Sequence, residues 1–251
     1  MKKGFYLLVK EMIRKSDIVL EVLDARMPEL TRIRDIESYA KSVGRPLIIV
    51  VNKSDIISRA ALEKIREGYS GLEACIVSSK KPHNIRELLI RIKQKSSRQK
   101  IRVAVIGYPN TGKSSLINRL SAHGKAKTGT ESGTTKGMQL ISGKGNLMLF
   151  DSPGIVPFQD RDSIRLGLVA GVSPEKLKDA DIVAMELIRI FKNSNPGAME
   201  KAYGVDASLD PYDILLEIGK NMKFLRKKAE IDERRTAVHI LTDWHKGKIR
   251  L

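Results

Sequence analysis

Gly107-Tyr108-Pro109-Asn110-Thr111-Gly112-Lys113-Ser114 decides how this chain is read. The stretch fits the pattern GxxxxGK[ST] and has the context that pattern needs. Ile101-Arg-Val-Ala-Val-Ile106 ahead of it reads as a strand, and Ser114 to Ser121 behind it as the start of a helix. In such a loop the backbone N–H groups point inward at a helix N-terminus, where they cradle phosphates. The pattern gives Lys113 to the β- and γ-phosphates and the Ser114 hydroxyl to magnesium. Pro109, Asn110, Thr111, Gly112 and Ser115 complete the candidate phosphate contacts.

Three further segments end apolar runs in the same manner. Leu147-Met-Leu-Phe150 leads into Asp151-Ser-Pro-Gly154. A carboxylate at a strand end can hold magnesium through water, and the Gly154 N–H can sense a γ-phosphate. Leu47 to Val51 leads into Asn52-Lys53-Ser54-Asp55. In this NKxD pattern the Asp55 carboxylate can accept from guanine N1–H and the exocyclic amine, a donor pair that adenine lacks. The Lys53 stem packs on the base, and Asn52 ties this loop to the phosphate loop. Ala74-Cys-Ile-Val77 leads into Ser78-Ser79-Lys80, which suits a further base contact, with the Ser79 N–H on guanine O6. Taken alone, NKSD also fits an exposed turn. The combination points to one site for GTP or GDP.

The first ninety residues alternate strand-like and helix-like pieces, which predicts a mostly parallel α/β sheet flanked by helices. Residues 94–100 lack apolar side chains and read as a linker. Residues 124–137, rich in Gly, Thr, Ser and Lys, read as a mobile loop. Beyond about Pro157 no strand is evident. Ser173-Pro174 and Asp210-Pro211 each put a capping residue ahead of a proline at a first helical position. Ile231-Asp232 resembles a staple and cap for a helix whose face carries Ala237, Ile240, Leu241 and Trp244. The expectation is a nucleotide-binding domain over 1–157 and a small all-α domain over 158–251.

Composition narrows the classes. The chain has 251 residues, 46 Lys+Arg against 29 Asp+Glu, and a net charge of +17. Its single cysteine, Cys75, excludes an internal disulfide and a multi-cysteine zinc site. No apolar run approaches the ~20 residues of a membrane span. The apolar start ends too early, at Lys10-Glu11, for a signal peptide. A cytoplasmic monomer with no membrane partner is expected, and its cationic field suits nucleic acid.

The order of the motifs is inverted relative to an ordinary Ras-like chain, because Asn52 precedes Lys113. That order, together with Asp24-Ala-Arg-Met-Pro28 after the first apolar strand, resembles the YlqF/YawG group of circularly permuted, ribosome-assembly GTPases. The resemblance implies a P-loop GTPase domain followed by a helical tail that contacts rRNA of a ribosomal, specifically large-subunit, precursor. It implies that Thr135, with Thr134 as the alternative, ligates magnesium. Residue 155 is Ile where a water-orienting glutamine is usual, so slow, partner-activated hydrolysis is expected. In such GTPases an asparagine placed like Asn110 often accompanies a potassium ion. Bacterial members open on an aromatic-Pro-Gly-His-Met segment, whereas this chain opens Met1-Lys-Lys-Gly-Phe-Tyr, so no role of that histidine carries over. The permutation tethers the tail to the Asp151–Gly154 segment. A nucleotide-gated RNA-binding placeholder with negligible catalysis is the alternative.

Two segments concentrate charge: residues 91–102 and 219–251 each carry +6, and Lys220, Lys223 and Lys227 fall at helical spacing. The reading is phosphate contact with RNA, against a plain solvated face. Trp244 and Cys75 read as core residues rather than as stacking or reactive groups.

Overall fold

In the computed structural model the apolar runs of the first half become neighbouring strands of one sheet. Residues 3–122, 139–154, 156 and 162–251 are described, with backbone alone at 3–5, 139 and 228. The elements in chain order are α1 (Lys3–Lys15), β1 (Ile18–Asp24), α2 (Pro28–Thr31), α3 (Arg34–Ser42), β2 (Leu47–Asn52), α4 (Arg59–Gly68), β3 (Ala74–Ile76) and α5 (Ile85–Gln94). There follow β4 (Ile101–Ile106), α6 (Lys113–Leu120), β5 (Gln139–Ser142) and β6 (Leu147–Asp151). The sheet order is β3-β2-β1-β4-β6-β5.

Five of these strands run parallel, and β5 pairs antiparallel with β6 at the edge. The seam between the two sequence halves is an ordinary parallel pairing, with Val19 opposite Ala104 and Leu20 opposite Val105. On one face, Leu20, Val22, Ile48, Val50, Val103 and Val105 pack with Leu88 and Ile92 of α5 and with Leu116 and Leu120 of α6. On the other, Leu23, Ile49 and Val51 pack with Ile65 of α4 and with Tyr69. Burial on both faces is why these strands read as continuous apolar runs rather than alternating ones. Parallel strands also align their carboxyl ends. Asp24, Asn52, Gly107 and Asp151 therefore stand at or just past one edge, where α/β sheets bind ligands.

The chain forms two compact units, Met1–Gln159 and Asp160–Leu251. The boundary expected at 157/158 and the loop expected over 124–137 lie outside the described residues. The second unit holds α7 (Ser163–Leu168), α8 (Ala180–Ser194), α9 (Pro196–Tyr203), α10 (Pro211–Asn221) and α11 (Glu233–His245). Its described residues form no strand, only an isolated bridge between Leu225 and Ile231. Asp210 caps α10 by accepting from the N–H groups of Tyr212 and Asp213, and Asp232 caps α11 by accepting from Arg235. Trp244 is fully buried and donates from Nε1 to the Leu168 carbonyl at 2.8 Å.

Some expectations need correcting. Lys220, Lys223 and Lys227 do not share a helix face. α10 ends at Asn221, Lys223 has a left-handed backbone at φ 54, and Lys227 begins a separate 3-10 turn. Ser173 makes no capping hydrogen bond, and only a 3-10 turn over Pro174–Lys176 follows it. Residues 91–102 are not an unopposed charge run. Glu87 and Glu73 pair with Arg91, Glu73 also with Lys95, and Asp17 with Arg98 and Arg102. These acids come from elsewhere in the chain.

Candidate functional site

The loop between β4 and α6 shows why its glycines are glycines. A Cβ on Gly107 would run into the Val22 carbonyl oxygen of β1, and one on Gly112 into Asn52 Nδ2. Gly112 also has φ +96, a region L side chains rarely adopt. Asn110 takes a left-handed backbone at φ 59, which asparagine tolerates. Thr111 is fully buried, its hydroxyl donating to the Tyr108 carbonyl at 3.0 Å. Ser114 and Ser115 open α6 on its exposed side.

Lys113 Nζ donates to the carbonyls of Gly107 at 3.0 Å and Tyr108 at 2.6 Å. Burial pushes its pKa down to about 8, with Asp151 opposing and Lys53 adding to the shift. Asp151, half-buried at the end of β6, has its pKa raised by burial, with Lys113 opposing. Gly154 lies against the phosphate loop: a Cβ there would fall 2.9 Å from Pro109 Cα. Thr135, Thr134 and Ile155 lie outside the described residues.

The motif at the end of β2 meets this loop directly. Asn52 is buried, and its Nδ2 donates to the Thr111 carbonyl at 2.9 Å across 59 positions of sequence. Its Oδ1 accepts from the Ser79 backbone N–H at 3.0 Å and from the Ser79 hydroxyl at 2.9 Å. The Ser78 hydroxyl donates to Asp55 Oδ1 at 2.7 Å. One asparagine thus ties together the phosphate loop, the NKxD turn and the loop after β3. The Ser79 N–H expected on a base is donated to Asn52 instead.

Two residues at this site were not assigned roles by sequence. Asp24, at the end of β1, accepts from Lys53 Nζ at 2.7 Å. It also accepts from Arg26: from the backbone N–H and Nε at 3.0 Å each and from Nη2 at 2.7 Å. Burial alone would raise the Asp24 pKa. The Arg26 guanidinium and the Lys53 ammonium outweigh it and hold the carboxyl well below the usual range. Lys53, at φ 69, keeps its ammonium in this pair, although burial lowers its pKa. The segment Asp24-Ala-Arg-Met-Pro28, legible only as a family mark, here anchors the lysine of the NKxD motif. The other is Arg119 on α6, whose guanidinium donates from Nε to the Ser79 carbonyl at 2.7 Å and from Nη2 to the Lys80 carbonyl at 3.0 Å. A lone helical arginine carries no local signature that could have announced this.

Comparisons with known proteins fit this geometry. A family model described as 50S ribosome-binding GTPase matches residues 102–204. A GTP-binding protein of Methanocaldococcus jannaschii is 33% identical over 96% of this chain and 65% of its own length. Nuclear/nucleolar GTPase 2 of Oryza sativa subsp. indica is 32% identical over 95% of this chain and 46% of its own. The chain therefore spans roughly half to two thirds of these relatives. YlqF from T. maritima, solved with GNP bound, has a TM-score of 0.69 at 23% identity, covering 98% of this chain and 95% of that one. That likeness concerns the fold.

Proposed function

We propose that the chain belongs to the YlqF-like family of circularly permuted GTPases and that it binds GTP at the carboxyl ends of its parallel strands. We propose further that it hydrolyses GTP to GDP and phosphate while engaged with rRNA of a large ribosomal subunit precursor. The observation that carries the nucleotide reading is the bond from Asn52 to Thr111, which joins base-type and phosphate-type motifs in one site.

In this reading Asp55 accepts from guanine N1–H and the 2-amino group, and the Lys53 stem covers the base. Lys113 exchanges the carbonyls of Gly107 and Tyr108 for phosphate oxygens, which restores its charge against the desolvation that now opposes it. Gly154 N–H senses the γ-phosphate. The Ser114 hydroxyl and Asp151 carboxylate are hard oxygen donors. Magnesium is commonly held by one or two carboxylates plus nucleotide phosphates, and Asp151 with the Ser114 hydroxyl would supply the protein's share of such a site. When bound, it neutralises charge developing on the phosphates. Thr135 and, for potassium, Asn110 keep the roles the family resemblance implies. Isoleucine at 155 offers no hydrogen bond to water, so acceleration from the bound particle is part of the proposal.

Names of relatives support the ribosomal direction: nucleolar GTP-binding proteins occur among them, and the matched family model is described as ribosome-binding. The net charge of +17 suits rRNA. Cytoplasmic action as a monomer completes the reading. Among the described residues no helix is long and apolar enough to cross a membrane.

The test is single-turnover hydrolysis with and without ribosomal subunits, in potassium and in sodium, beside sucrose-gradient sedimentation with GTP or GDP. Subunit-stimulated hydrolysis and GTP-dependent co-sedimentation are expected. A rate that responds to neither particle nor cation would instead favour a nucleotide-gated RNA-binding placeholder.

A further inference from the structure

Arg119 spends its guanidinium on main chain. It reaches from the last turn of α6 to the successive carbonyls of Ser79 and Lys80, and it meets no carboxylate among the described residues. A guanidinium is a rigid fork of donors, so two bonds to adjacent carbonyls fix the orientation of the peptide between them.

That peptide contains the Ser79 carbonyl and the Lys80 N–H. A trans peptide is planar, with its C=O and N–H pointing in opposite directions. Pinning the Ser79 oxygen on Arg119 therefore aims the Lys80 N–H away from α6. The neighbouring amides are already used: Ser79 N–H on Asn52 Oδ1 at 3.0 Å, and Lys81 N–H on Ser78 Oγ at 3.0 Å. The Lys80 N–H makes no hydrogen bond among the described residues. The Ser78 hydroxyl, one residue before this pair, holds Asp55 at 2.7 Å. A fixed, unused donor thus stands in the loop that also grips the Asp55 carboxylate. Guanine offers the matching pattern along one edge, an O6 acceptor beside its N1–H donor.

We propose that Arg119 is a positioning residue for base recognition, holding the 79–80 peptide so that the Lys80 N–H, rather than that of Ser79, reads the 6-oxo group of a purine. The inference rests on the base-site reading given above and adds the donor and its support. It also makes α6 a rigid link: Lys113 and Arg119 stand six residues, about 9 Å, apart on a single helix. The element that opens on the phosphates closes on the base loop.

The test is competition against a fluorescent GDP by GDP, IDP and ADP, using the full chain and the variants Arg119→Met and Arg119→Lys, with thermal melting as the check of folding. GDP and IDP share the 6-oxo group, and ADP has an amine there. For Arg119→Met the affinities for GDP and IDP are expected to fall together by about tenfold. Their ratio stays constant and the ADP affinity does not move. Arg119→Lys keeps the charge and gives a smaller loss. If Arg119→Met does not fold, the same ratios are read from Arg119→Lys. An unchanged GDP-to-ADP ratio in a folded variant overturns the proposal, as does an equal loss for ADP, which would mark damage to the phosphate loop. A wild-type protein that does not prefer GDP to ADP overturns the base-site reading itself, and this proposal with it.

Discussion

Asn52 Nδ2 and the Thr111 carbonyl meet at 2.9 Å although one lies 59 positions before the other. This bond closes the half that carries the NKxD motif onto the half that carries the GxxxxGK[ST] loop. It also restricts position 112, since a Cβ there would strike the same Nδ2.

Asn52→Ala should therefore damage more than one loop. It leaves the Thr111 carbonyl and the Ser79 N–H without their partner in a buried setting, at about 1–3 kcal/mol per orphaned group. GDP affinity is expected to fall about ten- to a hundredfold. Because the phosphate loop is tied to the same side chain, ADP affinity should fall too. Titration with fluorescent GDP and ADP checks this, and an effect confined to the base would disprove the tie.

Asp24→Ala is expected to destabilise the first unit by about 3–5 kcal/mol, because it strands Arg26 and Lys53 without their shared carboxylate. Asp24→Asn should cost less, since it keeps acceptor oxygen. The sign with pH follows from the lowered native pKa. The contribution is fully present above the unfolded carboxyl value near 3.8 and is lost as pH falls from there toward the native value. Urea midpoints of wild type and Asp24→Asn at pH 7 and pH 3 read the difference, which should shrink at the lower pH. If Asp24 also acts on the nucleotide through Lys53, Asp24→Asn should weaken GDP binding in the wild type yet add nothing in a Lys53→Met background.

What the sequence disclosed and what it hid divide along contact range. Gly107–Ser114, Asn52–Asp55 and Asp151–Gly154 are contiguous and end apolar runs, so their chemistry and placement could be read together. Arg119 meets Ser79 forty positions away, and Lys53 meets Asp24 twenty-nine positions away, and no local pattern says that either pair would touch. α1 is not legible in the sequence because Phe5-Tyr-Leu-Leu-Val9 reads as a plain apolar run. Its amphipathic character shows only when Val9, Met12 and Ile13 are seen buried and Leu7 exposed. β5 is not legible either, because a four-residue antiparallel edge strand lacks the long β-branched run of a buried one. The +6 of residues 91–102 is partly offset in space, because Asp17, Glu73 and Glu87 reach it from outside the segment, which a count along the sequence does not show.

Glu21 offers a test of pH dependence away from the nucleotide. It is fully buried in β1, its Oε1 accepts from the Ile33 N–H at 2.6 Å, and its Oε2 has no hydrogen-bond partner with well-formed geometry. Burial, reinforced by the nearby Glu37 carboxylate, raises its pKa to about 8 against the backbone bond and Arg32. Between the ordinary value of 4.5 and 8 the native state holds a proton that the unfolded state has lost. Stability from this group is thus complete below 4.5 and declines as pH rises toward 8, by roughly 3–5 kcal/mol. Glu21→Gln keeps an acceptor for Ile33 and cannot ionise. Relative to wild type it should gain stability from pH 5 to pH 8, and parallel denaturation curves across that range would refute the assignment.

Asp55→Asn probes the base assignment most directly. A carboxylate accepts from both N1–H and the 2-amino group of guanine, whereas an asparagine amide replaces one acceptor by a donor and faces a donor on the base. Loss of one charge-assisted bond is worth about 1.5–3 kcal/mol, so GDP affinity should fall about ten- to more than a hundredfold. Xanthine carries a 2-oxo acceptor where guanine carries the amine. The same variant should therefore bind xanthosine diphosphate better than the wild type does. Ser78 can support either side chain, since a hydroxyl donates as readily to an amide oxygen as to the carboxylate it meets at 2.7 Å. Parallel titrations of both proteins with GDP and xanthosine diphosphate read the exchange. A variant that loses GDP without gaining the xanthine nucleotide would mean that Asp55 supports the loop but does not touch the base.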